Sequence, residues 1–307
     1  MKKIIVSCLL LIVLVLSACS GGESDKKKAA SKESKPKMIT YEAETGPVKV
    51  PADPKRVVVL QSFAGNVMAL DVNLVGVDSW SKMNPRFAKQ LKNAEEVSDE
   101  NLEKIIELNP DLIIGLSTTK NIDKLKEIAP TVTYTYGKAD YLTQHIEIGK
   151  LLNKEKEAQA WVDDFKKRAH SAGKDIKAKI GEDTTISVIE NFDKQLYVFG
   201  DNWGRGTEIL YQEMKLKMPE KVKKMALKDG YYALSLEVLP EFSGDYVVLS
   251  KNSDTDHSFQ ETDTYKNIPA VKNNRLFEVN AKEFYFNDPI TLEFQLDYFV
   301  QHFLGKQ

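Results

Sequence analysis

The chain has 307 residues, 43 Lys+Arg against 45 Asp+Glu, a formal net charge of −2 and 42% hydrophobic residues. So even a balance excludes the basic surface that nucleic acid calls for, and the cation excess that a strongly anionic substrate would need. The length is more than one compact core usually takes, so two lobes are expected.

The chain opens Met1-Lys2-Lys3, runs through apolar residues from Ile4 to Leu16, and reaches Leu16-Ser17-Ala18-Cys19. A basic start, an apolar stretch shorter than the roughly 20 residues of a membrane span and a small-residue cleavage site predict a secretory signal peptide over residues 1–18. Leu-Ser-Ala-Cys has the pattern of the bacterial lipobox, which makes Cys19 the expected lipidated first residue of the mature chain and places it on the extracytoplasmic face of the cell membrane. The other cysteine, Cys8, lies inside the discarded segment. The mature chain then has no thiol for a disulfide, a redox centre or Cys-based metal binding. Residues 19–37, mostly Ser, Gly, Lys, Glu and Ala, cannot bury enough apolar surface to offset ordering entropy and predict a flexible tether.

From 38 to 142 the pattern is that of a first α/β lobe. Apolar, β-branched runs at Arg56–Leu60, Leu74–Val77, Asp111–Leu116 and Val132–Tyr136 alternate with helical patterns such as Leu102, Ile105, Ile106 and Leu108 before Asn109-Pro110. Continuous apolar strands of this kind predict a parallel sheet covered on both faces. Between 143 and 180 no Pro occurs, and Leu151, Ala158, Trp161, Val162, Phe165 and Ala169 fall on helical spacing. This predicts one long amphipathic helix joining the lobes. From 181 to 307 a second α/β lobe follows, with strands expected at Thr185–Ile189, Leu196–Phe199, Asp245–Leu249 and Arg275–Val279, and a closing helix from Pro289 to Phe303. The fold class is thus α/β, two lobes with a ligand cleft between them.

One internal echo supports two related halves. The fourteen residues from Asn101 to Ile114 align without a gap on those from Ser235 to Val248, matching Leu102 with Leu236, Glu103 with Glu237, Glu107 with Glu241 and Asp111 with Asp245. Each copy reads as a capped helix, a turn and a strand.

The lipobox, tether, two lobes and joining helix resemble the ABC-importer binding proteins for siderophores, haem and cobalamin. Val50-Pro51-Ala52-Asp53-Pro54-Lys55-Arg56-Val57-Val58, Pro110-Asp111-Leu112-Ile113-Ile114 and Ile128-Ala129-Pro130-Thr131-Val132 carry the match in the first lobe. Leu196-Tyr197-Val198-Phe199-Gly200-Asp201-Asn202-Trp203-Gly204-Arg205-Gly206 and Phe284-Tyr285-Phe286-Asn287-Asp288-Pro289 are more specific, and resemble binding segments of the Gram-positive ferric hydroxamate receptors. The resemblance implies aromatic and Arg contacts to the ligand at Tyr197, Trp203, Arg205 and Tyr285, the last departing from a Trp in the family pattern. It also implies that Glu103 and Glu237 dock onto a permease dimer driven by its ATPase. Acidic residues near a helix start also favour the helix dipole, which is the plainer account of both glutamates.

Read from the residues, the three glycines between 200 and 206 let the backbone turn sharply and approach a ligand, with Trp203 and Arg205 able to share one side of the turn. Their spacing is not that of a dinucleotide fingerprint. Oxygens that coordinate ferric iron in a hydroxamate keep lone pairs, which suits a planar guanidinium better than an ammonium, so Arg205 is the expected donor. Its plainer role is to pair with Asp201 or Glu208 and hold the turn. Tyr197, Trp203 and Tyr285 are expected to wall the iron centre, with Tyr136 and Trp80 reaching from the first lobe; the siderophore, and not the protein, holds the iron, and no cofactor is expected. A triply anionic ferric catecholate calls for several cations, and these loops offer one Arg, with Lys138 or Lys282 as possible additions. Haem capture stays open through Met83 and His257 as axial ligands. A bare metal site is disfavoured, because His145, His170, His257 and His302 are scattered. An anchored hydrolase lacks a Gly-x-Ser-x-Gly elbow, a His-Glu-x-x-His pair or a linked nucleophile and base.

Overall fold

The computed structural model describes residues 36–305, so the predicted signal peptide, Cys19 and the tether up to residue 35 lie outside the described residues. Strands β1 (Met38–Ala43) and β2 (Gly46–Pro51) form an antiparallel hairpin that was not expected, and Tyr41 and Val50 tie it to the first core.

The first sheet holds β3 (Val57–Val59), β4 (Leu74–Val77), β5 (Glu95–Glu96), β6 (Leu112–Leu116) and β7 (Thr131–Tyr134), all parallel, in the order β5-β4-β3-β6-β7. Val57 and Val59 enter one apolar layer and Val58 the other, which is why these strands read as unbroken apolar runs. Only β5 was missed, being two exposed glutamates.

The second sheet holds β8 (Ile186–Phe192), β9 (Gln195–Phe199), β10 (Tyr231–Leu234), β11 (Tyr246–Lys251) and β12 (Leu276–Asn280), in the order β10-β9-β8-β11-β12. Here β8, β11 and β12 are parallel, while β9 and β10 run antiparallel. The reversal at β9 is local. Asp193 and Lys194, at φ +47° and +68°, form a two-residue turn that is far too short for a parallel crossover.

Both sheets therefore carry their third, second, first, fourth and fifth strands in that order, and the echoed segments occupy the same place in each. Their strands are β6 and β11, the fourth in each lobe. Leu112 lies opposite Val57, and Tyr246 opposite Ile186, at the start of the first strand. The matched aspartates do the same work: Asp111 accepts from the backbone N–H of Lys55 and Arg56 at 2.7 and 3.0 Å, and Asp245 accepts from that of Thr185 at 2.8 Å. Each carboxylate ties the chain entering the central strand to the unit that follows it.

The predicted 143–180 helix is two helices, Tyr141–Leu151 and Glu155–Ile180. Asn153 at φ +57° ends the first in a left-handed residue, so the continuous helix is corrected to a bent pair. In the longer, linking helix Ala158, Val162, Phe165, Ala169, Gly173 and Ile176 are buried. Gly173 is there because a Cβ would lie 2.2 Å from the Met214 carbonyl oxygen. The closing helix, Pro289–Leu304, is capped by Asp288, which accepts from the Ile290 and Thr291 amides at 3.0 and 3.2 Å. Among the described residues no helix is long and apolar enough to cross a membrane.

His145, on the first helix of the pair, is 1% exposed, lies edge-on to Trp161 at 5.3 Å and has no partner for Nδ1. Burial pushes its pKa down to about 4, so the folded protein keeps the imidazole neutral while an unfolded chain protonates it near its ordinary value of about 6.5. Titration of His145 thus costs the fold nothing above that value and withdraws stability as pH falls below it. Relative to His145→Leu, the wild type is expected to lose about 2 to 3 kcal/mol between about pH 7 and about pH 4.5 in urea unfolding. A difference that stays constant across that range would contradict it.

Candidate functional site

The carboxyl ends of the parallel strands in the two sheets face each other across a cleft of about 670 Å³, the usual place for a ligand in open α/β sheets. The first lobe lines it with Gln61, Ser62, Asp78, Trp80, Leu116, Thr118 and Tyr136. The second supplies Phe192, Tyr197, Phe199, Trp203, Gly204, Arg205, Tyr231, Tyr285, Phe286 and Asn287. All six predicted binding residues, Tyr197, Trp203, Arg205, Tyr285, Tyr136 and Trp80, are on that wall.

The glycines set the wall. Gly204 sits at φ +67° with its Cα so close to the neighbouring strand-end segment that a Cβ would be 2.2 Å from the Tyr285 carbonyl oxygen. The Arg205 amide then donates to the Phe284 carbonyl at 2.6 Å, so the 200–206 loop and the 284–287 segment form one surface. Behind them Glu208, 1% exposed, accepts from the Gly204 amide at 2.9 Å, the Asn287 side chain at 3.0 Å and the Thr207 hydroxyl at 3.0 Å. Burial raises its pKa against the pull of those donors. After the loop the chain forms a π-helix over Glu208–Glu213.

Arg205 pairs with neither Asp201 nor Glu208, as its structural role had been expected to require. Its Nε donates to Glu190 on β8 at 2.5 Å and its Nη1 to the Trp203 carbonyl at 2.9 Å. The guanidinium lies between the Phe199 and Tyr285 rings, 4.5 and 4.7 Å from their centroids. Its side chain is 12% exposed and that of Glu190 0%. Burial and the Glu190 carboxylate hold the Tyr285 phenol well above its ordinary range.

The aromatic wall is built from both lobes. Trp80 meets Tyr285 edge-on at 5.5 Å, and Tyr136 leans toward Trp203 at 6.0 Å. Trp203 donates to the Asp229 carbonyl and rests over Gly230, where a Cβ would lie 1.9 Å from the indole. Below the ligand space the lobes touch directly. Phe87 packs on Phe286 at 5.5 Å, Arg86 pairs with Glu283 at 2.8 Å, and a Cβ on Gly65 would lie 2.0 Å from the Asp288 carboxylate.

Arg205 and Asp78 are the charged side chains lining the cleft. Lys138 pairs with Glu44 at 3.3 Å and Lys282 with Asp254 at 2.6 Å, and neither lines it. Met83 and His257 do not line it either; His257 Nε2 lies 2.9 Å from the Asn252 carbonyl oxygen. Among the described residues no cluster of three or more His, Cys, Asp or Glu is placed to hold a metal.

Glu103 and Glu237 lie away from the cleft, exposed, each in the helical turn before the fourth strand of its lobe, and neither is ion-paired among the described residues. Sequence reading missed Tyr231, Phe192 and Phe199 at the cleft and Glu190 buried behind its wall. Glu190 extends β8 beyond its apolar run, and its carboxylate in a strand otherwise buried was the available signal.

Two α/β lobes bridged by a helix, pinned at their base and open above into a shared aromatic cleft, define a solute-binding protein that holds its ligand between its halves. Residues 57–283 match the periplasmic binding protein family, and the chain belongs to it, a binding protein and not an enzyme. It is 38% identical over 276 residues to the iron(3+)-hydroxamate-binding protein YxeB of Bacillus subtilis (strain 168), covering 87% of this chain and 85% of that one. Over 279 residues it is 38% identical to the iron(3+)-hydroxamate-binding protein FhuD of the same organism, covering 89% and 88%. The structure of FhuD2 from Staphylococcus aureus with bound ferrioxamine B superposes with a TM-score of 0.78 at 35% identity, over 82% of this chain and 99% of that one.

Proposed function

We propose that this protein captures ferric siderophores of the hydroxamate class outside the cytoplasm and hands them to an ABC permease dimer coupled to its ATPase. The observation that carries the ligand assignment is the cleft itself. Of the six large hydrophobic side chains exposed among the described residues, Trp80, Tyr136, Trp203 and Tyr231 all line it, around a single guanidinium. Apolar groups left open to water in one place mark a binding surface, and one cation offers donors to ligand oxygens without favouring a highly charged complex. Relatives named for iron(3+)-hydroxamate binding support the same class. In this reading Arg205 donates to the siderophore oxygens, and Tyr197, Trp203 and Tyr285 pack on the iron centre with Tyr136 and Trp80 opposite. The iron stays with its siderophore.

Gel filtration of the protein with a ferric hydroxamate tests this. The visible absorption of the complex should elute with the protein and the ligand should be recovered unchanged. Elution of the colour apart from the protein would contradict capture, and a cleaved ligand would restore the hydrolase.

The lipobox assigns the anchor to Cys19 once residues 1–18 are removed, with the protein tethered to the outer face of the cell membrane. Glu103 and Glu237, one per lobe in equivalent turns with carboxylates facing solvent, are the docking points for the permease. Glu103→Ala with Glu237→Ala is expected to leave ferric hydroxamate affinity within about two-fold while slowing cellular uptake at least about ten-fold, the loss of one or two exposed charge pairs at an interface. Weakened binding by the purified variant, or full uptake, would remove the docking role.

A further inference from the structure

We infer that Glu190, buried behind the cleft wall, sets the charge of the ligand this site accepts: by pairing with Arg205 it cancels the cleft's one cation and turns the site toward neutral ferric complexes and against anionic ones. The inference rests on the proposed siderophore reading and deepens it.

Glu190 lies on the central strand β8, in register with Tyr197 on β9 and Ser250 on β11, and is 0% exposed. One carboxylate oxygen receives Arg205 Nε at 2.5 Å. The other, Oε1, is buried with no well-aligned donor, and the Tyr285 hydroxyl lies beside the carboxylate. A carboxylate in such a place is expensive to desolvate and is retained only against a cation. Holding Arg205 does not by itself require that charge. A glutamine carbonyl would accept from Nε in the same position, and the Trp203 carbonyl with the Phe199 and Tyr285 rings already orient the guanidinium. What only the carboxylate supplies is a negative charge directly behind the positive one.

For a ligand above Arg205 the consequence is electrostatic. A neutral ferric hydroxamate needs hydrogen-bond donors, and the guanidinium nitrogen not engaged by Glu190 or Trp203 still offers them. A triply anionic ferric catecholate needs net positive charge, and meets a neutral pair with Asp78 as the remaining charged side chain of the wall. Glu190 is thus a specificity-determining residue that acts through Arg205 without touching the ligand.

The test is the ratio of affinities for a neutral ferric hydroxamate and for triply anionic ferric tris-catecholate, measured by titration calorimetry on the folded protein. Glu190→Gln should lower the hydroxamate-to-catecholate preference by about ten-fold or more, because one uncancelled cation acts on a multiply charged ligand at short range. Glu190→Asp, which keeps the charge and shifts its position, should keep the wild-type preference even where both affinities drop. If Glu190→Gln fails to fold with its cation stranded, the salt dependence of the wild-type affinities is read instead: a cancelled cation predicts that catecholate binding does not fall as salt rises, and a steep fall with salt, the mark of an uncancelled cation, overturns the inference. A purely structural Glu190 would weaken both ligands together, and an unmoved ratio in these comparisons overturns the inference. Wild type that binds no ferric hydroxamate overturns the proposed function, and the inference with it; wild type that binds it with an unmoved variant ratio overturns the inference alone.

Discussion

Arg205→Ala is expected to weaken binding of a ferric hydroxamate by about 1.5 to 3 kcal/mol, roughly ten- to a hundred-fold in Kd, the worth of a hydrogen bond from a charged donor. Of the guanidinium's donors, Nε serves Glu190 and Nη1 serves the Trp203 carbonyl, and the rest remain for the ligand. Truncation also removes the stacking against Phe199 and Tyr285 and strands the Glu190 carboxylate in a buried site, so urea unfolding should register a loss of about 3 kcal/mol as well. Arg205→Lys separates the two effects. It keeps a cation for Glu190 but loses the planar fork, so stability should largely return while affinity stays reduced. Calorimetric titration of both variants checks this, and an Arg205→Ala protein with wild-type affinity would return Arg205 to a purely structural role.

Gly204→Ala should have the largest effect on the fold for its size, a loss of about 3 kcal/mol or more. Two terms add. At φ +67° an alanine takes on the left-handed penalty of about 1 to 2 kcal/mol, and its Cβ would be driven to 2.2 Å from the Tyr285 carbonyl oxygen, which is backbone and cannot swing aside. Relief requires the 200–206 loop and the 284–287 segment to part, and that parting would break the hydrogen bonds from the Arg205 amide to the Phe284 carbonyl and from the Asn287 side chain to Glu208. Ligand affinity should therefore fall together with the urea midpoint. A variant as stable as wild type would show that the loop is not pressed against the second segment. Gly46→Ala is the control for helix-independent backbone strain, since Gly46 also has positive φ, +106°, but nothing lies within 4 Å of its Cβ position.

The legible and illegible parts of the fold divide along physical lines. Strands buried on both faces, such as β6 and β11, announce themselves as unbroken apolar runs, and the closing helix by Asp288 and Pro289 at its start. The echo of Asn101–Ile114 in Ser235–Val248 was readable because its aspartates and leucines serve the same local need in each lobe. The β1–β2 hairpin escaped because its strands are half-exposed and mixed in polarity. The bend at Asn153 escaped because a left-handed asparagine costs little and leaves no mark in the spacing of apolar residues.

The site shows the same contrast. Trp203 and Arg205 were legible in a glycine-rich turn, and Tyr285 through its motif. Glu190 was not, since its partner is 15 residues away across a hairpin whose reversal was itself unread. Tyr231 likewise reaches the cleft from β10, which pairs with β9 only in the folded sheet. Pairings made by tertiary contact are the ones that a chain of residue types does not display.

The most direct test of the central claim is tryptophan fluorescence titrated with a ferric hydroxamate, a ferric catecholate, haem and cobalamin. Of the protein's three tryptophans, Trp80 and Trp203 line the cleft, and Trp161 sits on the linking helix, half-buried against the second lobe's core. A ferric hydroxamate seated between the lobes should quench the two cleft indoles saturably, at lower concentration than any other ligand of the panel. Quenching by haem alone, with no response to the ferric hydroxamate, would contradict it.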